Sequence, residues 1–501
     1  MPYFLSLAKE HGLFVVLRVG PYVCAEVNFG GCAIFFNLKD TKSAHRSPSV
    51  PAWLLSKPDM VLRTFNKPYM VEMEKFVRKV VDVARPYLIG NNGSIIMAQI
   101  ENEYGDVQWK NGIDGQKYIN WAIGMAKSLD FNVPWFLCKQ GNVLKEINTC
   151  NGFYCDNWIQ RHSLMFPNQP AMFTELWAGW YQLFGESRPT RSGTDVALSV
   201  ARFIARGGSY VAYYMWHGGT NFGRNGGGPY MTTSYDYDAP VNEYGLPNEP
   251  KFSHLQALHQ VLNQNKEFIL ENKPENDKTG VSGGATVYGD KNGDALIFLA
   301  NTDSTVGTAN YLKKDFRLSP WSVLIVRRYK DGRFETLFDT SKVPEHVRKY
   351  ETLESNLNRH PLASAVVQGY RNEPFGTHRV SLQAVKTAKP QEQVRFTMDT
   401  TDYVWYIRSG IYLMPNAKQV VLEFEQIDNV VQIFWGDKLV FAGKGGSKMK
   451  FTVPMNNSRD TLGQHTLMVL SSTFGINHYG DGLERRYKVR CRFLMDTYNQ
   501  F

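Results

Sequence analysis

The sequence predicts an α/β half followed by an all-β half. Three observations carry that expectation. From Leu7 to about Leu262, apolar and β-branched runs alternate with amphipathic segments. After about residue 265 the texture changes to short β runs punctuated by Gly and Asp turns. The chain also has 501 residues, more than one hydrophobic core organises.

In chain order, the first half offers strands at 13–19 (LFVVLRV), 94–100 (SIIMAQI), 133–138 (VPWFLC), 146–153 (EINTCNGF), 171–176 (AMFTEL) and 209–216 (SYVAYYMW). Helical patterns at 70–88 and 116–130 separate some of them. Apolar strands alternating with helices predict a parallel sheet with helices outside. In barrels of this kind the site lies at the C-terminal strand ends. Polar residues do fall there: Glu26 after the first run, Glu101 and Glu103 after the second, Glu175 near the end of the fifth, and His217 after the sixth. In the second half, 286–304, 402–413, 419–443 and 465–474 read as strands of a small β-domain and a sandwich. The polar stretch 346–395 reads as a connector, and 483–501 departs from the sandwich pattern.

Composition excludes several classes. Lys and Arg number 56 against 47 Asp and Glu, a net +9, but the basic residues are scattered. Nucleic acid as a partner would call for a clustered stripe. No run is long and apolar enough for a membrane span, and the first residues lack the pattern of a signal peptide. The six cysteines show no paired metal spacing, so no metal site is expected. Cys150 and Cys155 are candidates for a disulfide, and Asn92 and Asn456 head glycosylation sequons.

The chemistry-bearing stretches are QIENEYG (99–105), MFTELWAGW (172–180), YYMWHGGTNFG (213–223) and TTSYDYDAP (232–240). Cleaving a glycosidic bond needs a proton for the leaving oxygen and a negative charge beside the developing oxocarbenium ion; two carboxyl groups supply both. In a regular strand Gln99, Glu101 and Glu103 share a face while Asn102 points away, which does not choose between the two glutamates. Either glutamate is also a candidate for a structural ion pair, with Arg18 as a partner. Glu175 stands among Thr174, Trp177 and Trp180, where indole walls offer a sugar platform. Gly218, Gly219 and Gly223 would let the backbone approach a ligand. Asp236 and Asp238, alternating with Tyr235 and Tyr237, suit either a substrate surround or a hydrogen-bonded turn.

Together with GPYVCAE (20–26), NFGG (28–31), INTCNGFYCD (147–156), EYGLP (243–247), PWSVLIV (320–326) and DTTDYVWY (399–406), these motifs resemble the family 35 glycoside hydrolases, the plant-type β-galactosidases in particular. The resemblance implies a (β/α)8 TIM barrel, here lacking its first two strands, followed by β-domains including a galactose-binding-like sandwich. The expected division is 1–265 for the partial barrel, 266–345 for a small β-domain, 346–398 for the connector and 399–501 for a C-terminally incomplete sandwich. Carried over by motif, Glu103 is the general acid/base, Glu175 the nucleophile, and Asn102 the partner of the sugar's 2-hydroxyl. Glu26 binds galactose hydroxyls and Tyr237 sits near the nucleophile. No cofactor is implied; the partners are β-galactoside glycans, and the location is lysosomal, vacuolar or extracellular. Oligomeric state is left open.

The sequence departs from the family at Val19 and Val27, where Pro and Trp are usual, and in the stretch 32–50, which reads as an insertion or as translated non-coding sequence. Two other functions stay open at this point: a non-catalytic relative with at most glycan binding, and a retaining glycosidase for another sugar.

Overall fold

The computed structural model describes residues 1–31, 54, 57–143, 145–223, 226–290, 292–343, 385–387, 390–397, 401–413, 417–427, 430–455, 462–480, 483 and 489–494. The stretch 32–50, Asn456 and most of the connector 346–398 lie outside the described residues. The chain divides into two units, Met1–Val347 with Gly475–Glu484, and Arg348–Phe474 with Arg485–Phe501.

The first unit is built on a six-stranded sheet in sequential order: β1 (Val15–Gly20), β2 (Ile95–Ile100), β3 (Trp135–Cys138), β4 (Ile147–Gly152), β5 (Met172–Trp177) and β6 (Tyr210–Tyr214). Every neighbouring pair is parallel. All six strands therefore end at one rim, and residues just beyond them meet there. The sheet curls: Arg18 on β1 reaches Glu175 on β5, and Tyr214 on the far edge reaches Cys24 and Glu26 beyond β1. Only six strands are described, so the sheet is an open curl, half-buried along β1 and β6 and buried throughout β3.

Helices cover the outer face. Between β1 and β2, α1 (Lys67–Ala84) starts at Asn66, whose side chain accepts the Tyr69 N–H at 3.2 Å. It buries Tyr69, Met73, Phe76, Val77, Val80, Val81 and Ala84, three and four residues apart, the stripe an amphipathic helix turns to a core. After β2, α2 (Gly112–Lys127) buries Tyr118, Ile119, Ala122, Ile123 and Ala126 in the same rhythm. By contrast α3 (Gly193–Ala205), between β5 and β6, is buried nearly all round. It lies in a core that joins Phe173 and Leu176 of β5 to Tyr288, Leu296, Phe298, Val323 and Ile325.

Those last residues belong to a five-stranded antiparallel sheet formed by β7 (Glu275–Asp277), β8 (Ala285–Gly289), β9 (Ala295–Asn301), β12 (Ser322–Arg328) and β13 (Phe334–Asp339). The hairpin β10 (Gly307–Tyr311) and β11 (Lys314–Leu318) supplies Ala309, Tyr311, Phe316 and Leu318 to its other core.

In the second unit, β14 (Tyr403–Tyr412), β16 (Val430–Trp435), β17 (Lys438–Lys444) and β19 (Gln464–Ser472) make a four-stranded sheet. A three-stranded sheet joins β15 (Gln419–Ile427), β18 (Ser447–Pro454) and β20 (Val489–Leu494). Both sheets contribute to one core, with Val420, Leu422 and Phe424 from one and Val431, Ile433, Leu467 and Val469 from the other. This corrects the expectation that 483–501 leaves the sandwich pattern. Residues Val489–Leu494 pair antiparallel with Val421–Ile427. The run VRCRFL alternates Val, Cys and Phe with its arginines, a period-two pattern masked by its charge.

Truncating Phe298 to Ala removes a ring shared by α3 and the five-stranded sheet. The expected cost is about 3–5 kcal/mol, read as a lower denaturant midpoint in equilibrium unfolding.

Candidate active site

The chain does not continue as a strand past Ile100. Glu101 and Glu103 adopt left-handed backbone angles, with φ of 59° and 47°. The regular alternation considered from sequence therefore ends there, and the three residues of Glu101–Asn102–Glu103 point in different directions. Gly105 closes the turn: a Cβ there would lie 2.0 Å from the Lys139 carbonyl oxygen.

Glu101 is held by four hydrogen bonds from three groups. Arg63 donates to both oxygens at 3.1 and 2.8 Å, Tyr118 Oη donates at 2.7 Å, and the Asn102 N–H donates at 2.7 Å. Arg63 also donates to the Asn102 carbonyl at 2.6 Å and stacks on Tyr22 at 3.8 Å. Such a fully satisfied, buried carboxylate is a structural brace for a strained turn. Arg63, not Arg18, is thus the partner of Glu101; the segment carrying it approaches the rim from a place no local sequence signal reveals.

Glu103, also buried, accepts from Asn151 Nδ2 at 2.9 Å and has Lys139 Nζ at 3.3 Å. Lys139 is shared with Asp106 at 3.1 Å and lies 5.3 Å from the Trp177 ring centroid. Asn151, at the end of β4, is in turn oriented by Thr174, whose hydroxyl donates to its Oδ1 at 2.8 Å.

Glu175 reaches the same rim through a break in strand register. Phe173 and Leu176 both pack into the outer core, while Thr174 and Glu175 between them turn inward. The pairing of β5 with both neighbours shifts at this point, which strict alternation would not allow. One Glu175 oxygen lies 2.7 Å from Arg18, an ion-pair distance without an aligned hydrogen bond. The other accepts from Trp177 Nε1 at 3.1 Å. Burial pushes the Glu175 carboxyl above the usual carboxylate range; the Arg18 guanidinium pulls it back, and the charge of Glu103 pushes it up again.

Arg18 also donates to Asn102 Oδ1 at 2.6 Å and to the Val23 carbonyl at 2.8 Å. Asn102 is buried, and its Nδ2 has no partner among the described residues. A buried donor left unpaired costs free energy unless something completes it.

Beyond β1, Glu26 is buried and accepts from Tyr214 Oη at 3.0 Å; Tyr214 is itself hydrogen-bonded to Tyr235. Burial pushes Glu26 up to about 8, against hydrogen bonds from Tyr235 and Tyr214 that favour its charged form. Tyr237 packs on Tyr214 and Trp180 at 5.4 and 5.8 Å between ring centroids. Its approach depends on Gly179, where a Cβ would fall 1.9 Å from the Tyr237 carbonyl oxygen. Burial first, and then the nearby Glu26, Tyr214 and Glu175, push the Tyr237 hydroxyl up.

Glu26, Asn102, Glu103, Glu175 and Tyr237 thus gather at one rim. Asp236 and Asp238 do not join them. Asp236 pairs with Arg188 and accepts the Glu243 N–H, and Asp238 pairs with Lys251 at 2.6 Å, so both tie down the loop as a hydrogen-bonded turn. Gly218 makes room for the Tyr235 carbonyl oxygen, 1.6 Å from where its Cβ would be, and not for a ligand. Cys150 and Cys155 form a disulfide, and Asn92 is exposed. No cluster able to hold a metal occurs among the described residues. Sequence reasoning missed the roles of Arg63, Lys139 and Asn151, and offered Arg18 as a partner of Glu101 or Glu103 where it meets Glu175 and Asn102. An arginine inside an apolar strand was a usable signal for Arg18, and Asn151 lies within the INTCNGFYCD motif; nothing local marks Arg63 or Lys139.

A curled parallel sheet with flanking helices and acidic side chains gathered at one rim defines a barrel-type α/β protein. The sequence pattern described as glycosyl hydrolases family 35 matches residues 1–262, and the chain belongs to that family. It is 38% identical over 494 residues to probable beta-galactosidase 2 of Dictyostelium discoideum, covering 96% of this chain and 61% of that protein. To beta-galactosidase 8 of Arabidopsis thaliana it is 37% identical over 491 residues, covering 95% of this chain and 54% of the relative. The chain therefore spans roughly half to three-fifths of the length of these curated relatives. Among solved structures, a beta-galactosidase from the psychrophilic Marinomonas ef1 aligns with a TM-score of 0.34 at 12% identity, over 55% of this chain and 54% of that one, a likeness too loose to carry inference.

Replacing Arg63 by Met strands the Glu101 carboxylate; unfolding free energy is expected to fall by about 3–5 kcal/mol, and Glu101→Leu in the same chain to recover part of it. Glu26 supplies a pH signature. Its folded value of about 8 exceeds the ordinary 4.5, so the folded state binds the extra proton between those values. Stability contributed by neutral Glu26 is then present below about 4.5 and lost as pH rises toward about 8. Melting curves across that window should decline more steeply for the wild type than for Glu26→Gln.

Proposed function

We propose that the chain hydrolyses terminal, non-reducing β-D-galactose from glycans by a retaining double displacement. The observation that carries this reading is the meeting of two buried glutamates with unlike partners at one rim: Glu175 with Arg18 and Trp177, Glu103 with Asn151 and Lys139. The names of the relatives support galactose as the sugar.

Glu175 attacks the anomeric carbon as the nucleophile. The glycosidic C–O bond breaks, and Glu103, as general acid, gives its proton to the departing oxygen. Glu103, now a carboxylate, takes a proton from water. That water attacks the same carbon and breaks the galactosyl ester, which returns Glu175 as a carboxylate and Glu103 as an acid. Arg18 favours the ionised form of Glu175 before attack and after release. The unpartnered Nδ2 of buried Asn102 suits the sugar's 2-hydroxyl, and Glu26 and Tyr237 line the galactose site.

In this reading, residues 1–265 are the catalytic body, 266–345 a small β-domain, 346–398 a connector and 399–501 a galactose-binding-like sandwich. The Cys150–Cys155 disulfide and exposed Asn92 suit an oxidising compartment, lysosomal, vacuolar or extracellular.

Glu175→Gln is expected to abolish hydrolysis of aryl β-galactosides while leaving the melting transition in place; near-wild-type turnover would refute the assignment. Glu103→Gln should slow substrates with poor leaving groups by about 10²–10⁴ and spare an activated dinitrophenyl galactoside in its first step. Equal losses across leaving-group acidity would argue against an acid role. Aryl β-glucoside should be hydrolysed far more slowly than the galactoside, and the reverse order would reassign the sugar.

A further inference from the structure

Cys138 closes β3 and plays no part in the cycle above. Its thiol is buried, and three polar atoms surround its sulfur. The Glu103 N–H approaches at 3.2 Å, Gln99 Nε2 at 3.4 Å and Asn102 Oδ1 at 3.1 Å. The Glu103 N–H donates to the sulfur, and the single S–H has Oδ1 as its acceptor; the two hydrogens of Gln99 Nε2 go to the Glu101 carbonyl at 2.8 Å and to Asn102 Oδ1 at 2.9 Å, so its approach to the sulfur is a longer, shared contact. Burial pushes the thiol well above its usual range, so the proton stays available for that contact.

Asn102 Oδ1 receives two further donors, Arg18 at 2.6 Å and Gln99 Nε2 at 2.9 Å. Three donors converging on one oxygen decide which end of the amide faces inward. The amide nitrogen is left at the opposite end, buried and unpartnered among the described residues.

We infer that Cys138 is a positioning residue, whose thiol holds the Asn102 amide so that Nδ2 is presented to the substrate's 2-hydroxyl, and which anchors the backbone of Glu103 in the same contact. The inference rests on the reading of Asn102 given under Proposed function. A thiol suits the task because the long C–S bond lets one atom span three partners. Serine keeps the donor but, with a shorter bond, brings it less close; alanine removes it.

The test compares an aryl β-galactoside with its 2-deoxy counterpart in wild type, Cys138→Ser and Cys138→Ala. If Cys138 acts through Asn102, Cys138→Ala should lower kcat/KM for the galactoside by about 10- to 100-fold and affect the 2-deoxy substrate much less. The preference for the 2-hydroxyl then collapses, mostly through kcat, with Cys138→Ser in between. Equal losses on both substrates, or an unchanged preference in Cys138→Ala, would overturn the inference. Cys138→Ser, the milder change, decides the case if the alanine variant does not fold. A wild type that shows no preference for the 2-hydroxyl would refute the role given to Asn102 and this inference with it. Should the wild type hydrolyse neither substrate, the activity proposal fails separately. Calorimetric binding of galactose against 2-deoxygalactose then judges Cys138, and a preference equal in wild type and Cys138→Ala would sink it.

Discussion

One guanidinium organises the rim. Arg18 sits on the first strand of the curled sheet, yet it touches Glu175 on the fifth and Asn102 beyond the second. Those contacts exist only because the sheet bends far enough to bring β1 within an ion pair of β5. The geometry and the electrostatics are therefore one constraint: curvature places a permanent positive charge beside a carboxyl that burial alone would drive to its neutral form. Remove the charge and the same curvature would face two buried carboxyls with less to balance them.

Around this pair the backbone departs from regularity where side chains must be aimed. β5 breaks register so that Thr174 and Glu175 both turn inward while Phe173 and Leu176 stay in the core. After β2 the chain takes left-handed angles at Glu101 and Glu103. Such conformations cost free energy at non-glycine residues and persist where surrounding contacts over-determine them. Here Arg63, Tyr118 and the backbone N–H of Asn102 all hold Glu101, so a carboxylate that does not face substrate in the proposed cycle stabilises the turn that presents its two neighbours.

Much of this was legible in the sequence. Apolar β-branched runs such as VVLRV and SIIMAQI marked all six parallel strands because both faces of a buried sheet exclude charge. Polar residues at their C-terminal ends marked the rim. The choice between Glu101 and Glu103 was not legible from spacing, since period-two alternation fails where the strand ends; the proposed cycle gives Glu101 the bracing role because Arg63 holds it, a contact that is a tertiary fact. Arg18 was visible as a charge inside an apolar strand, but its partner across the curl was not. β20 was hidden because its arginines break the hydrophobic signal while keeping the alternation. Asp236 and Asp238 looked equally fit for substrate or for a turn, and Arg188 and Lys251, distant in sequence, decide for the turn.

In the proposed cycle Glu175 forms a covalent galactosyl ester. Trapping with an activated 2-deoxy-2-fluoro-β-galactoside, followed by proteolysis and mass spectrometry, measures this most directly. The expected result is one fluorogalactosyl unit per chain, carried by the peptide containing Glu175 and absent from Glu175→Gln. A label on another carboxylate, or hydrolysis that proceeds with inversion at the anomeric carbon and leaves no adduct, would contradict it.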